Sequence, residues 1–337
     1  MNTCTLNLDH VDDLIPQLAK HFNTDYYENF GEFSLKIPER FGQGAIWGIN
    51  FPNGVGLHFL KGEFYEDFKL YFSNDSISSL RFIYCVKGCL EHVFGDDDEV
   101  KDVKRYQHII TAPKYNESES FCFKAHTETL ICYLEIDRER FQQQLSYDLT
   151  KIDASFYSLF ADINNLTRIW HKGYYSLEIS DIISQLDTYE QKGLIRTNFL
   201  GAKALEIMSA MLALYRQDAS GVSKKPILRE HDMEAIVKAV AHIEENLNSL
   251  GTIPEIAETV GLEPYRLQQG FKKVYHVTVN DFIKDHRLKL ALKMLTTENK
   301  NVSEVVYELG LSSRSYFSKI FKEKYGISPK EISMRDK

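Results

Sequence analysis

Residues 252–273, TIPEIAETVGLEPYRLQQGFKK, and residues 301–322, NVSEVVYELGLSSRSYFSKIFK, are two versions of one pattern. Each reads as a short helix, a turn holding a glycine and a longer basic helix, and an internal repeat of this kind weighs more than a single motif. Gly261 and Gly310 supply the backbone freedom that a tight turn needs. Ile256, Ala257, Leu267 and Phe271 in the first copy, and Val305, Val306, Phe317 and Phe321 in the second, have the apolar spacing that packs the two helices of a helix-turn-helix together.

The remaining positions of the longer helices face outward. They are Tyr265, Gln268, Gln269, Lys272 and Lys273 in the first, and Arg314, Ser315, Ser318, Lys319 and Lys322 in the second. Gln and Arg can pair bidentately with base edges and Lys can meet phosphates, so both faces suit a major groove of double-stranded DNA. A single helix-turn-helix is a weak signal, whereas two in tandem with glycine turns are specific. Residues 279–295 form a long amphipathic helix between them, and successive grooves on one face of DNA lie ~34 Å apart, so the two units suit neighbouring turns of one site. Gly270 stands inside the first longer helix, where glycine costs ~1 kcal/mol relative to Ala. It is expected to permit close approach to DNA or to a neighbouring helix.

Charge divides the chain in the same place. The net charge of the 337 residues is -8, yet residues 223–337 hold 19 Lys and Arg against 16 Asp and Glu, which leaves 21 against 32 upstream. Between Pro264 and Lys330 the balance is 13 basic to 6 acidic, the local excess a polyanion partner calls for. Ahead of this region, Ala219-Ser-Gly-Val-Ser-Lys-Lys-Pro226 reads as a linker. The expected organisation is an N-terminal domain over 1–219, a linker over 220–230 and an all-α domain over 231–337, with helix-turn-helix units at about 252–275 and 301–325 and a linker helix at about 278–296.

Within the first domain, period-two apolar runs at Val55, Phe68, Ser120 and Thr129, with turns at Pro52-Asn53-Gly54 and Lys87-Gly88, predict antiparallel strands closing into a small barrel able to enclose one ligand. The period lengthens after Asp137. Leu200, Ala204, Ile207, Met208, Met211, Leu212 and Tyr215 share one helical stripe that suits either the barrel or a dimer seam. The fold class is therefore α+β.

At the repeat and the helix between its copies, the sequence resembles the AraC/XylS family of bacterial transcription regulators, over about residues 232–334. Its linker pattern is matched by Phe282, Ile283, Arg287, Leu288, Ala291, Met294 and Leu295, and its closing pattern by Tyr316-Phe-Ser-Lys319, Phe321-Lys322 and Gly326-Ile-Ser-Pro329. Val306, Leu311 and Ile332 depart from the usual residues, and His276 stands where the first unit often ends in Gly. The resemblance implies base contacts from Tyr265, Gln268, Gln269, Arg314, Ser315 and Lys319, a cupin-like sensor in front, a homodimer, and RNA polymerase as a further partner. Phe41-Gly-Gln-Gly-Ala-Ile-Trp-Gly48, Lys203-Ala-Leu-Glu-Ile207 and Arg266-Leu-Gln-Gln-Gly-Phe271 look like the siderophore-responsive, pyochelin-regulator-like branch, which implies a ferric siderophore as effector and control of iron-uptake genes; a sugar or fatty acid is the alternative.

Trp47, Arg81, Tyr84 and Tyr133 are the candidate effector residues, the aromatics as flat contact surfaces and Arg81 for an anionic chelate. His58, His92, His108 and His126 are isolated, so no catalytic metal site is expected. Gly42-Gln-Gly44 lacks the context of a phosphate loop and reads as a turn, and Asp96-Asp-Asp-Glu99 lacks the calcium-loop spacing. Five cysteines with no CxxC pair exclude a zinc knuckle and separate the chain from DNA-repair fusions built on one. No nucleophile elbow, zincin helix or phosphate cradle occurs, so no enzyme and no cofactor are expected. With no signal peptide and no long apolar run, a cytoplasmic protein away from the membrane is expected.

Overall fold

A computed structural model describes residues 2–8, 13–73, 79–95, 97, 99–173, 175–187, 189–220, 230–275, 277–296, 298, 300–311 and 313–333. The chain divides into two compact units, Met1–Lys225 and Pro226–Lys337. All but the two end residues of the expected 220–230 linker lie outside the described residues, as do His276, Asp96 and Asp98.

The first unit opens with β1 (Asn2–Leu6) and α1 (Leu14–Phe22). The strands β2 (Tyr27–Asn29), β3 (Glu32–Lys36), β4 (Gly42–Asn50), β5 (Val55–Phe64), β6 (Phe68–Phe72), β7 (Leu80–Lys87), β8 (Cys89–Phe94), β9 (Lys101–Lys104), β10 (His108–Ala112), β11 (Glu119–Phe123) and β12 (Thr129–Ile136) follow. Then come α2 (Arg138–Gln143), α3 (Ala154–Phe160), β13 (Ile169–Lys172), α4 (Leu177–Asp187) and α5 (Gly193–Ala219). Among the described residues the strands form a five-stranded sheet in the order β1-β6-β11-β8-β9 and an eight-stranded sheet in the order β13-β10-β7-β12-β5-β4-β3-β2.

The expected closed barrel is corrected to two open sheets. Closure requires the end strands to pair, and here β2 and β13 end one sheet while β1 and β9 end the other. The pattern is satisfied without closure because each face of the large sheet has its own cover. Ile46, Leu60, Ile83 and Ile131 share one core with α1 and the small sheet, and Leu57, Phe59, Phe82 and Leu134 share another with α4 and α5. Pairing is antiparallel as expected, except that β1 runs parallel to β6.

The α5 stripe is used inside the unit. Leu200, Ala204, Ile207, Met208 and Met211 are buried in the outer core, with Leu212 and Tyr215 packed beside it, so this stripe is not free to serve as a dimer seam. Gly54 and Gly88 take positive φ at the expected turns. Gly42 and Gly44 do not form the expected turn: both lie in β4, where a Cβ would collide with the carbonyl oxygens of Glu63 and Lys61 on β5. The five cysteines are free, and burial pushes the Cys4 and Cys85 thiols up to about 12.

The second unit is helical: α6 (Glu230–Glu245), α7 (Ile253–Thr259), α8 (Pro264–Val274), α9 (Val279–Thr296), α10 (Val302–Glu308), α11 (Arg314–Tyr325) and α12 (Pro329–Ser333). The starts of α7 and α10 are fixed alike. Glu255 accepts from the Thr252 backbone N–H at 2.6 Å and Glu304 from that of Asn301 at 2.8 Å, each closing a capping box.

Candidate nucleic-acid interface

The two repeats fold as helix pairs, α7 with α8 and α10 with α11. Leu267 and Phe271 of α8 and Phe317 and Phe321 of α11 are fully buried, and Gly261 and Gly310 have φ of 70° and 59° at the turns. Val306 and Ile332 are buried and Leu311 half-buried in the core around Phe317, so the departures from the family pattern are packing residues.

A set of polar contacts ties α9 to the end of α6 and to α11. In α9, Arg287 donates to the Leu247 carbonyl at 2.9 and 3.2 Å, His286 meets Glu244 of α6 at 3.0 Å, and Asp285 takes the Lys324 ammonium of α11. The second turn rests on the same corner, since a Cβ on Gly310 would run into the Asn248 carbonyl oxygen. Gly310→Ala combines that collision with a left-handed backbone and is expected to cost more than ~1 kcal/mol. Thermal unfolding of the full chain reads this as a lowered midpoint for the helical unit.

Of the sequence-predicted positions, Tyr265, Lys272, Lys273, Arg314, Ser315, Lys319 and Lys322 are exposed, and Gln268, Gln269 and Ser318 half-buried. Within α8, residues 265, 268, 269, 272 and 273 follow the i, i+3, i+4, i+7 spacing of a single face, as do 315, 318, 319 and 322 in α11. Gln269 donates to the Tyr265 hydroxyl, which ties two of these side chains together. Gln268 accepts from the Val279 backbone N–H at 3.4 Å. Arg266 points away, to Asp232 of α6. Gly270 is buried.

The family described as a helix-turn-helix domain matches residues 256–335. Regulatory protein SoxS of Escherichia coli is 29% identical over 96 residues, 28% of this chain and 90% of SoxS. Regulatory protein PchR of Pseudomonas aeruginosa is 34% identical over 121 residues, 36% of this chain and 40% of PchR. The second unit carries an AraC-type helix-turn-helix domain. Coverage of other relatives is partial, 38% for the transcriptional activator RhrA of Rhizobium meliloti and 8% for histidine kinase P4 of Formosa agariphila.

Ahead of this AraC-type domain, the four candidate effector residues do not converge. Trp47 and Tyr84 stand in one cross-strand row, Trp47–Phe59–Cys132–Tyr84, on the outer face of the large sheet. Trp47 stacks on Phe59 at 4.3 Å, and the Tyr84 hydroxyl donates to the Ser176 carbonyl. Arg81 and Tyr133 are on the inner face, lining a slot of about 30 Å³ with Leu14, Leu18, Phe72 and Ile131.

Arg81 is not the free cation that an anionic chelate requires. It is 1% exposed and donates to Glu119 at 2.5 Å and to Glu135 at 2.9 Å. Glu119 also takes a hydrogen bond from Thr111 at 2.6 Å and pairs with His92 at 2.7 Å. Sequence reasoning missed Glu119, Glu135 and Thr111, and treated His58 and His92 as isolated; both are buried, His58 on this inner face and His92 on the small sheet. Among the described residues no group of His, Cys, Asp and Glu could hold a metal ion, and no helix is long and apolar enough to cross a membrane.

Proposed function

We propose that the chain is a sequence-specific DNA-binding transcription regulator whose N-terminal unit makes DNA binding depend on a small molecule. The observation that carries this is the pair of exposed polar helix faces, on α8 and α11, held in one unit by α9. The domain order supports a sensor in front: the N-terminal unit is acidic and carries its own cores, while the basic excess is confined to the second. Effector binding then acts by favouring one arrangement of the chain, and so one DNA affinity, over another.

For the effector we propose a ferric siderophore, which makes the genes controlled those of iron uptake. Trp47 and Lys203, each from a resembling segment, stand near a further cation in support: the Arg196 guanidinium of α5 sits 5.7 Å from the Trp47 ring, and Lys203 follows two turns on from Arg196. Both cations already have partners, Glu32 and Glu206, so a chelate competes for them. We further propose a cytoplasmic homodimer that works with RNA polymerase.

Binding of the full-length protein to fragments from upstream of its own gene, with and without ferric siderophores at fixed salt, tests the reading. Specific binding that a chelate alters is expected. Specific binding indifferent to chelates but altered by a sugar or fatty acid replaces the effector; absence of specific binding removes the regulator itself.

A further inference from the structure

On the inner face of the large sheet, neighbouring polar side chains close over Gly56. Its cross-strand neighbours are Asn50 of β4 and Glu135 of β12, and His58 follows two residues on along β5, so three polar side chains border a position with no side chain of its own. Asn50 Oδ1 and His58 Nε2 both approach the point where a Cβ on Gly56 would stand, the latter to 2.7 Å. His58 stacks on Tyr133 with ring centroids 4.8 Å apart, and Tyr133 and Arg81 line the apolar slot beside it.

Asn50 Oδ1, both ring nitrogens of His58, the Tyr133 hydroxyl, Glu135 Oε2 and Arg81 Nε are buried without a hydrogen-bond partner. Folded chains leave few such atoms, and a cluster of them needs a reason. We propose that this polar cluster and the slot together bind an uncharged, hydroxyl-bearing apolar molecule, its hydroxyl among Asn50, His58, Glu135 and Tyr133 and its body against Leu14, Leu18, Ile83 and Phe121. The head is uncharged because Arg81 is already matched by Glu119 and Glu135, so an anion finds no free cation there and meets carboxylates instead. His58 accepts or donates as a neutral ring, since burial and then Arg81 lower it to about 3. The free space of about 30 Å³ means that a ring-sized molecule enters only as α1 yields at Leu14 and Leu18. This deepens the sensor reading by naming a ligand class for the interior, distinct from a chelate on the outer face.

Titration of the full-length protein with p-cresol, toluene and benzoate, read by calorimetry and by the ring resonances of His58, tests it. The expected result is p-cresol binding at least tenfold tighter than toluene or benzoate, with the His58 signals shifted. Tyr133→Phe is expected to remove that preference while toluene binding persists, and Gly56→Ala, whose Cβ would push Asn50 and His58 aside, to do the same if it folds. Equal affinity for p-cresol and toluene, a preference that survives Tyr133→Phe, unmoved His58 signals, or ordered water alone at the polar cluster in a crystal soaked with p-cresol would each overturn the proposal. Specific DNA binding by the same preparation shows that such a failure belongs to this site and not to the regulator.

Discussion

Glu119→Ala is expected to destabilise the N-terminal unit by about 3–5 kcal/mol at neutral pH, because it breaks a buried ion pair from one side. Glu119 is fully buried and ties Arg81, His92 and Thr111 across the two sheets. Without it the Arg81 guanidinium keeps only Glu135, and the Thr111 hydroxyl loses its acceptor. Denaturant unfolding of the full chain, followed at the Trp47 and Trp170 fluorescence, measures the change; a loss below ~1 kcal/mol would mean that the cluster is not held as described.

The two glutamates of this cluster give opposite pH slopes. Burial pushes Glu119 up, but Arg81, His92 and Thr111 pull it below the usual 4.5. Its contribution is therefore present above the unfolded value and lost as pH falls through the lower folded one. For Glu135, burial wins over Arg81 and Ser79 and leaves it raised. Its contribution is complete below 4.5 and is lost as pH rises through the higher folded value. Glu119→Gln is thus expected to flatten the acid limb of the stability profile, and Glu135→Gln the limb above it.

Arg314→Ala is expected to cost about 1–3 kcal/mol of specific DNA affinity and to relax the requirement at one base pair, while binding to unrelated DNA changes less. Arg314 is exposed at the start of α11, where Ser313 caps the helix by accepting from the Tyr316 N–H at 3.2 Å. Lys322→Ala, nearer the other end of α11, is expected to weaken all DNA alike and to reduce the salt dependence by about one counterion. Titrations across a salt series separate the two. An Arg314→Ala protein with unaltered sequence preference would take α11 out of base recognition.

Much of the helical unit was legible in the sequence because its determinants are local. The apolar spacing of Leu267 and Phe271, the glycine turns and the Thr252/Glu255 and Asn301/Glu304 pairs all lie within a few residues of one another. What was not legible there is the corner at Leu247 and Asn248, which Arg287 reaches from 40 residues away. The interior of the N-terminal unit is the reverse case. Arg81 meets Glu119 and Glu135 at separations of 38 and 54 residues, and no local pattern announces such a meeting. One error was avoidable: Arg81 and Tyr84 are three residues apart on one strand, so the period of two places them on opposite faces. The missed barrel closure is different in kind, since strand alternation reports that a face is buried and not what buries it.

The central claim, that α8 and α11 read one DNA site together, is tested most directly by selecting binding sequences for the full-length protein from a random-sequence duplex library. The expected result is a single site with two conserved blocks about one helical turn, ~10 base pairs, apart, the block lost in Arg314→Ala differing from that lost in Gln268→Ala. Enrichment of no sequence, or of a single block that neither substitution alters, would contradict it.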